Sequence, residues 1–259
     1  MCILFIAINQ HKEFPLIILA NRDEFQERPT TAAHFWKEYP DLLAGRDEKE
    51  GGTWLGVTRK GKISALTNYR DIPLHKEGRL SRGHLVRDYL ISEKSSKEYL
   101  DFLIRERGNY NPYNILIGNK EELFVYNNIS NETNKLEDGF HGLSNAYLNS
   151  PWPKLNRGVE AMKNYILNNE INHDELFSIM KDETKAPDEL LPDTGVGLEK
   201  ERFLSSIFLK SPVYGTRSTA ILLFDRHNAV SFYEKSYSPN GDTVGEFQSE
   251  FNLVGEKKY

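Results

Sequence analysis

Cysteine is nearly absent from this chain: a single one, Cys2, occurs in 259 residues. One cysteine cannot close a disulfide within the chain, so a disulfide-stabilised scaffold is excluded and a reducing compartment is favoured. The seven histidines form no H-x-x-x-H pattern and have no cysteine partners at zinc-site spacing. We therefore expect neither a structural metal nor a resident cofactor.

Long apolar runs and concentrated positive charge are also lacking. The opening run CILFIAI has seven residues, whereas a membrane-spanning helix needs roughly 20. The 33 Lys and Arg residues are dispersed among 38 Asp and Glu residues, for a net charge of −5, which argues against nucleic acid as a partner. No basic segment precedes the opening run and no small-residue cleavage site follows it, as a secretory signal requires. We expect a cytoplasmic protein with no membrane span.

Two hairpins are predicted in the first quarter of the chain. The apolar runs CILFIAIN and PLIILAN are joined by the polar stretch QHKEF, and TWLGVT and ISALTN are joined by RKGK. Short β-rich runs around a polar turn are typical of antiparallel hairpins. Because neither of the first two runs alternates apolar with polar residues, both faces of that hairpin are expected to be covered.

The remaining pattern predicts alternating blocks of helices and strands. Residues 81–107 favour two helical pieces, and residues 154–169 and 173–182 favour two more. Strands are predicted at YNILIGN, ELFVYNN and GFHGLSN, and a closing pair at STAILLF and AVSFYEK. No repeat or low-complexity linker divides the chain, so we predict one domain over residues 1–259. The order of elements predicts large antiparallel sheets with helices packed outside, an α+β fold.

The first hairpin gives the lone cysteine a specific neighbourhood. If the chain turns around residues 11–13, opposed positions sum to about 23 to 25, as the antiparallel ladder requires. Cys2 then faces Asn21, Arg22 or Asp23 in the segment NRDE. Removal of Met1 would leave Cys2 with a thiol and a free α-amino group, whose ordinary pKa of about 7.7 to 8.0 suits a proton acceptor. Arg22 would favour the thiolate, and Asp23 would hold the amino group.

Each of these features has a simpler interpretation. A lone cysteine in an apolar strand is typical of a small buried hydrophobe, and NRDE is compatible with a strand end whose charges are solvated. Asn68 and Asn145 each follow an apolar strand, where an oxyanion hole could use the amide, but asparagine is also common in turns. Arg217 precedes the strand STAILLF. The segment AGRDEKEGGTWLG is typical of a surface loop.

Blocks along nearly the whole chain resemble the NRDE family, also called the transport and Golgi organization protein 2 family. They are MCILFIA, ILANRDEFQERPT, LAGRDEKEGGTWLG, ALTNYRD, SRGHLVRDYL, HGLSNAYLNSPWPKL and YGTRSTAILL. The resemblance implies an N-terminal nucleophile (Ntn) hydrolase-like fold, a four-layer αββα sandwich. More distantly, the chain is similar to the bile-salt hydrolase and penicillin V acylase group, which uses an N-terminal Cys, a nearby Arg and Asp, two Asn residues and a late Arg.

Carried over to this chain, the resemblance implies six catalytic residues. Cys2 would be the nucleophile, Arg22 would tune its thiolate and Asp23 would bind the α-amino group. Asn145 would be the better candidate for the oxyanion donor and Asn68 the other, and Arg217 would shape the pocket near the nucleophile. The first three coincide with those reached from the hairpin.

Two functions of different classes follow. The first is an N-terminal-cysteine amidohydrolase that cleaves a linear amide of a small molecule through a thioester acyl-enzyme. The alternative is a non-catalytic carrier on the same fold that handles haem or an acyl-lipid, as the family's association with haem and lipid handling implies. The expected partner is a small-molecule amide or acyl compound.

Overall fold

Two antiparallel sheets form the centre of the computed structural model, which describes residues 2–254. The strands are β1 (Cys2–Ile8), β2 (Leu16–Phe25), β3 (Thr30–Phe35), β4 (Leu42–Asp47), β5 (Leu55–Thr58), β6 (Ile63–Asn68), β7 (Tyr113–Gly118), β8 (Leu123–Asn127), β9 (Glu132–Lys135), β10 (Gly139–Leu143), β11 (Tyr214–Phe224), β12 (Ala229–Tyr237) and β13 (Thr243–Asn252). The order in the first sheet is β10-β1-β2-β11-β12-β13 and in the second β3-β4-β5-β6-β7-β8-β9.

Helices cover the outer faces of both sheets. They are α1 (Gly83–Ile91), α2 (Ser96–Glu106), α3 (Pro153–Asn168), α4 (His173–Met180) and α5 (Leu198–Phe203). Helix α2 begins at a capping box, in which the Ser95 hydroxyl accepts from the Glu98 amide and the Glu98 side chain accepts from the Ser95 amide. Two backbone N–H groups at the start of the helix thereby have hydrogen-bond partners. No helix within residues 2–254 combines the length and apolar character that a bilayer crossing demands.

Strand alternation divides the core into three apolar layers. Along β1, Leu4 and Ile6 face the second sheet, whereas Ile3 and Phe5 face α3 and α4. The third layer lies between the second sheet and helices α1 and α2. Successive strand side chains point to opposite faces, so a strand that is apolar throughout can serve two layers at once. The layer order is helices, sheet, sheet, helices, which confirms the predicted αββα architecture.

The predicted hairpins form, and the structure also contains several elements that the sequence did not predict. β1 pairs with β2 and β5 pairs with β6, antiparallel in both cases. The segment interpreted as a surface loop, residues 44–56, includes the second half of β4, a strand whose residues are buried except for Arg46. β13 is largely exposed, with only Phe251 buried. Neither strand carries the apolar alternation by which strands are detected, because β4 includes a glycine and two charges and β13 lies at a sheet edge.

Candidate active site

The first hairpin places Cys2 directly opposite Arg22. The two residues are paired in the ladder between β1 and β2, and their numbers sum to 24, within the predicted range. Both lie two positions from a residue that faces the second sheet, Cys2 from Leu4 and Arg22 from Ala20. Because strand side chains alternate, Cys2 and Arg22 point to that same face. The prediction that the hairpin alone brings a guanidinium to the cysteine is confirmed.

Arg22 is held rigidly at the edge of the core. It is only 5% exposed, its guanidinium carbon lies 4.1 Å from the centroid of the Trp54 ring, and Nη1 donates to the Thr30 hydroxyl at 2.9 Å. Trp54 therefore provides a cation–π surface that orients the charge. Burial lowers the pKa of Arg22, and nearby Glu24 and the Cys2 thiolate oppose that shift, so this guanidinium favours an anion beside it.

Cys2 lies at a cavity of about 250 Å³ that is bounded by both sheets and by the start of α1. It is half-buried, and it is the only cysteine of the chain. Burial is the main cause that raises the pKa of the Cys2 thiol; Asp23 raises it further, whereas Arg22 lowers it. The thiol is thus sheltered from water, and Arg22 is the charge on its own face that favours the thiolate.

Asp23 points to the opposite face of the first sheet. It is 3% exposed, and its Oδ1 accepts a hydrogen bond of 2.7 Å from the Thr216 hydroxyl on β11. The Tyr214 hydroxyl donates to its backbone carbonyl at 3.0 Å. Burial raises the pKa of Asp23, while buried Lys154 on α3 and the Thr216 hydrogen bond lower it. The carboxylate is therefore fixed next to the first residue of β1, on the side away from Arg22.

The two asparagines are linked to each other across the sheets. Asn68, the last residue of β6, lines the cavity together with Cys2. Asn145, 1% exposed, follows β10, and its side-chain amide donates to the Asn68 carbonyl at 2.9 Å. Among the described residues that line this cavity, Asn145 is not included. The geometry therefore favours Asn68 as a donor toward the cavity and gives Asn145 the position of a support behind it.

Arg217 binds the backbone of the turn after β2. It sits at an irregularity in the β2–β11 register, between Thr216 and Ser218. Its Nη1 donates to the carbonyls of Phe25 and Gln26, both at 2.9 Å. Arg217 is not among the described residues that line the cavity, so its effect on the pocket passes through the backbone that leads to Arg28.

The cavity is lined by many more charged residues than were predicted from the sequence. Four arginines line it, namely Arg22, Arg28, Arg79 and Arg82. Four acidic residues also line it, namely Asp23, Glu24, Asp47 and Glu50, although Asp23 directs its carboxylate to Thr216 on the other face of the sheet. Most of these charged residues belong to the family-like blocks quoted above. Charged residues at the ends of predicted strands and helices were the sequence feature that could have indicated a polar cavity. No cluster of three metal-binding side chains occurs among residues 2–254.

Two of these arginines, Arg28 and Arg82, connect the cavity wall to other segments of the chain. Arg28 makes a two-pronged ion pair with Asp47, with Nη2 2.5 Å from Oδ2 and Nε 3.2 Å from Oδ1. Such bidentate pairing fixes both groups and joins the turn after β2 to the end of β4. Arg82, just before α1, donates to the Pro112 carbonyl at 2.8 Å. The cavity wall is thus assembled from distant parts of the chain.

Glu234 is a buried carboxyl on the far side of Arg22. Its Oε1 accepts from the Ala33 amide at 2.7 Å. Burial raises the pKa of Glu234 to about 7, whereas the hydrogen bond from the Ala33 amide and the charge of Arg22 lower it. Since the ordinary pKa of Glu is about 4.3, the folded protein binds more protons than the unfolded chain between these values, and its stability falls as pH rises through that window.

A Glu234→Gln variant is expected to remove this dependence on pH. The free energy of unfolding of the wild type should fall by up to roughly 3 kcal/mol relative to the variant between pH 4.5 and 8, as measured by urea unfolding. Glu250→Gln, at an exposed position of β13, is the matched control and should follow the wild type. Parallel profiles for Glu234→Gln and the wild type would contradict the assignment.

The fold is that of the N-terminal nucleophile hydrolases. A Caenorhabditis elegans ortholog of N-acylethanolamine-hydrolyzing acid amidase superimposes with a TM-score of 0.50 and 10% identity, over 86% of this chain and 92% of that one. A mutant of the conjugated bile acid hydrolase from Clostridium perfringens gives a TM-score of 0.53 and 11% identity, over 98% of this chain and 92% of that one. At these identities the similarity concerns the fold alone.

The chain belongs to the family described as Transport and Golgi organisation 2, whose profile matches residues 1–239. The human homolog of transport and Golgi organization protein 2 is 34% identical over 258 residues, covering 91% of this chain and 93% of the relative. The Bos taurus homolog is 33% identical over 257 residues, with the same coverage. These findings confirm the family resemblance and the fold class expected from the sequence blocks.

Proposed function

We propose that this protein is an N-terminal-cysteine amidohydrolase that cleaves a linear amide of a small molecule. The observation that carries the proposal is the placement of the chain's only thiol at a cavity, opposite buried Arg22 and with Asp23 fixed behind it. The Ntn hydrolase fold, shared with an amidase ortholog and a bile acid hydrolase, supports the same reaction class. Fold alone does not determine activity, so the argument rests on the site.

The proposed reaction begins when Met1 has been removed. The α-amino group of Cys2 takes the thiol proton, and the sulfur attacks the amide carbonyl carbon. Asn68 donates to the oxyanion that develops, and Arg22 stabilises the thiolate beforehand. The C–N bond then breaks, the leaving amine takes the proton from the α-amino group, and a thioester remains on Cys2.

Water completes the cycle. The α-amino group accepts a proton from the attacking water, whose oxygen adds to the thioester carbonyl. The C–S bond breaks, the carboxylic acid leaves, and the proton returns to the sulfur. Asp23 orients the amino group in both halves of the reaction.

The cavity favours a small and polar substrate. Only three of its larger lining residues are apolar, Trp54, Leu66 and Leu80. Its volume of about 250 Å³ lies below the roughly 300–1,000 Å³ of ordinary, mostly apolar ligand pockets. A long acyl chain would leave many of the charged groups desolvated without partners.

The carrier alternative receives less support from the same observations. Haem needs an axial ligand such as His, Cys, Met or Tyr, and among the described lining residues only Cys2 belongs to that set. The charged lining and small volume also fit a haem or an acyl-lipid poorly. Haem titration of wild type and Cys2→Ala separates the two functions, since a Soret shift that requires Cys2 would favour the carrier.

The test of the proposal is covalent capture of the acyl-enzyme. Protein lacking Met1 is incubated with a small polar amide bearing a thiol-reactive carbonyl, and its intact mass is measured. We expect one adduct per chain in the wild type and none in Cys2→Ala. Because Cys2 is the only cysteine, every thiol adduct reports on this site. Equal adduct formation in Cys2→Ala, or none in correctly processed wild type, would refute the proposal.

A further inference from the structure

A row of buried polar side chains crosses the second sheet at the end that carries the site. Thr67 on β6, Asn114 on β7 and Asn127 on β8 are successive partners in the ladders. Thr67 and Asn114 are 0% exposed and Asn127 is 4% exposed. Each lies two positions along its strand from an apolar residue of the layer between the sheets, so the row extends that layer. Buried amides and hydroxyls are costly unless they are hydrogen-bonded.

Asn114 is the centre of this row. Its Nδ2 donates to the Thr67 hydroxyl at 3.0 Å and to the Ala146 carbonyl at 2.8 Å, and it also lies 3.3 Å from the Ser144 carbonyl. Its Oδ1 accepts from Asn127 Nδ2 at 2.7 Å. Both ends of the side-chain amide therefore have partners, which fixes its orientation. Asn114 thus joins the second sheet to the segment that follows β10 of the first sheet.

The segment that Asn114 binds is also bonded to both halves of the site. The two carbonyls flank Asn145, whose side-chain amide donates to the Asn68 carbonyl at 2.9 Å. The Ser144 hydroxyl donates to the Cys2 carbonyl at 3.3 Å. Cys2 lies on the first sheet and Asn68 on the second. Residues 144–146 therefore bridge the two strand ends that carry the proposed nucleophile and the proposed oxyanion donor.

We propose that Asn114 is a positioning residue of the cysteine site, which holds residues 144–146 against the second sheet and thereby sets the distance between the Cys2 sulfur and the Asn68 amide. The inference rests on the proposed function, in which Asn68 stabilises the oxyanion. Asn114 is not among the described residues that line the cavity, so it acts through this segment and not on the substrate. An oxyanion donor must lie about 3 Å from the oxygen, so a small shift between the sheets weakens it.

Two reactions of the same thiol separate this role from a general loss of structure. In acylation by p-nitrophenyl acetate, the Cys2 sulfur bonds to the acetyl carbon and an oxyanion forms. The C–O bond then breaks, p-nitrophenolate leaves, and the α-amino group takes the thiol proton. Iodoacetamide alkylates the thiolate by displacing iodide and passes through no oxyanion. Both reactions use protein lacking Met1, and p-nitrophenolate release by Cys2→Ala gives the background.

Asn114→Ala is expected to be acylated about tenfold more slowly than the wild type and to keep the wild-type alkylation rate. Removal of one oxyanion donor costs roughly 10²- to 10³-fold, and a displaced donor loses part of that. Asn119→Ala is the matched control and should keep both rates. Asn119 follows the other end of β7, where its Oδ1 accepts from the Glu121 and Glu122 amides at 2.9 and 3.0 Å. Equal acylation of folded Asn114→Ala and the wild type would overturn the inference.

A double variant tests whether the effect passes through Asn68. Asn68→Ala is expected to slow acylation by itself, and the addition of Asn114→Ala should then slow it no further, because both changes remove the same interaction. Losses that multiply would overturn the inference and leave Asn114 a merely structural role.

A second variant covers the case in which Asn114→Ala fails to fold. Asn127→Ala removes the N–H group that Asn114 Oδ1 accepts, and it leaves Asn114 in place. We expect the same pattern with a smaller loss, namely slower acylation with unchanged alkylation. Acylation at the wild-type rate in folded Asn127→Ala would overturn the inference.

The outcomes distinguish this inference from the proposed function. If processed wild type releases p-nitrophenolate no faster than Cys2→Ala, the hydrolase reaction and the role of Asn114 are refuted together. If release requires Cys2 but is unaffected by Asn114→Ala, only the role of Asn114 is refuted. Slower release in Asn114→Ala with retained alkylation supports both.

Discussion

Release of Cys2 as the first residue is expected to raise its reactivity toward an amide electrophile by about 10²-fold or more at neutral pH. A positioned general base contributes roughly 10²- to 10⁴-fold, and here the base is the α-amino group of the same residue. In a chain with a peptide bond before Cys2, that nitrogen is an amide and cannot accept the thiol proton. Arg22 would remain in place in both forms, so its stabilisation of the Cys2 thiolate would be unaltered.

The matched pair for this measurement is one preparation before and after cleavage. An N-terminal tag is removed by a protease that leaves Cys2 first, and adduct formation is followed by intact mass in both samples. Iodoacetamide, which needs no leaving-group proton, reports whether the thiol is accessible in the tagged form. Equal amide reactivity before and after cleavage would show that the α-amino group has no part in the reaction.

Loss of Glu201 is expected to lower the free energy of unfolding by about 3–5 kcal/mol, the usual effect of removing one partner of a buried ion pair. Glu201 on α5 forms a buried ion pair with Arg70, which follows β6. In Glu201→Ala, Arg70 would be left buried with no carboxylate at 2.9 Å. The Arg70 Nε and Nη1 atoms have no hydrogen-bond partner among the described residues, so the guanidinium depends strongly on Glu201. Urea unfolding measures the change.

The control is a surface ion pair that includes a residue of the same short helix. Arg202 of α5 bonds to Asp188, and both side chains are about half exposed. Water and salt screen such a pair, so Asp188→Ala should leave the urea midpoint unchanged. Similar midpoints for Glu201→Ala and Asp188→Ala would contradict the buried pair's importance.

Local pattern was sufficient for the hairpin at the centre of the site. Strands β1 and β2 are consecutive in the chain, and the turn between them sets their register. The pairing of Cys2 with Arg22 could therefore be predicted by counting residues outward from the turn. The same reasoning found the order of strands and helices. It missed β3, β4, β9, β13 and the short helix α5, since a strand with glycine and charge, or one at a sheet edge, lacks the apolar periodicity used to detect strands.

Residue types at strand ends indicated candidates but not which way they face. The resemblance favoured Asn145 over Asn68 as the oxyanion donor, whereas of the two only Asn68 lines the cavity and Asn145 holds its backbone. Arg217 resembled a pocket residue, yet it binds the carbonyls of Phe25 and Gln26. These differences depend on how the two sheets stack, which no short segment encodes.

The amino-acid order alone was enough to establish the layered α+β architecture, the family blocks and the pairing of Cys2 with Arg22, because each depends on neighbours along the chain or on strand periodicity. The charged cavity and the buried ion pair of Arg70 with Glu201 emerged only when the sheets and helices were packed together. Arg28 and Asp47, or Arg70 and Glu201, are far apart in sequence, and their interactions depend on burial and low local polarity. Those conditions exist only in the folded molecule.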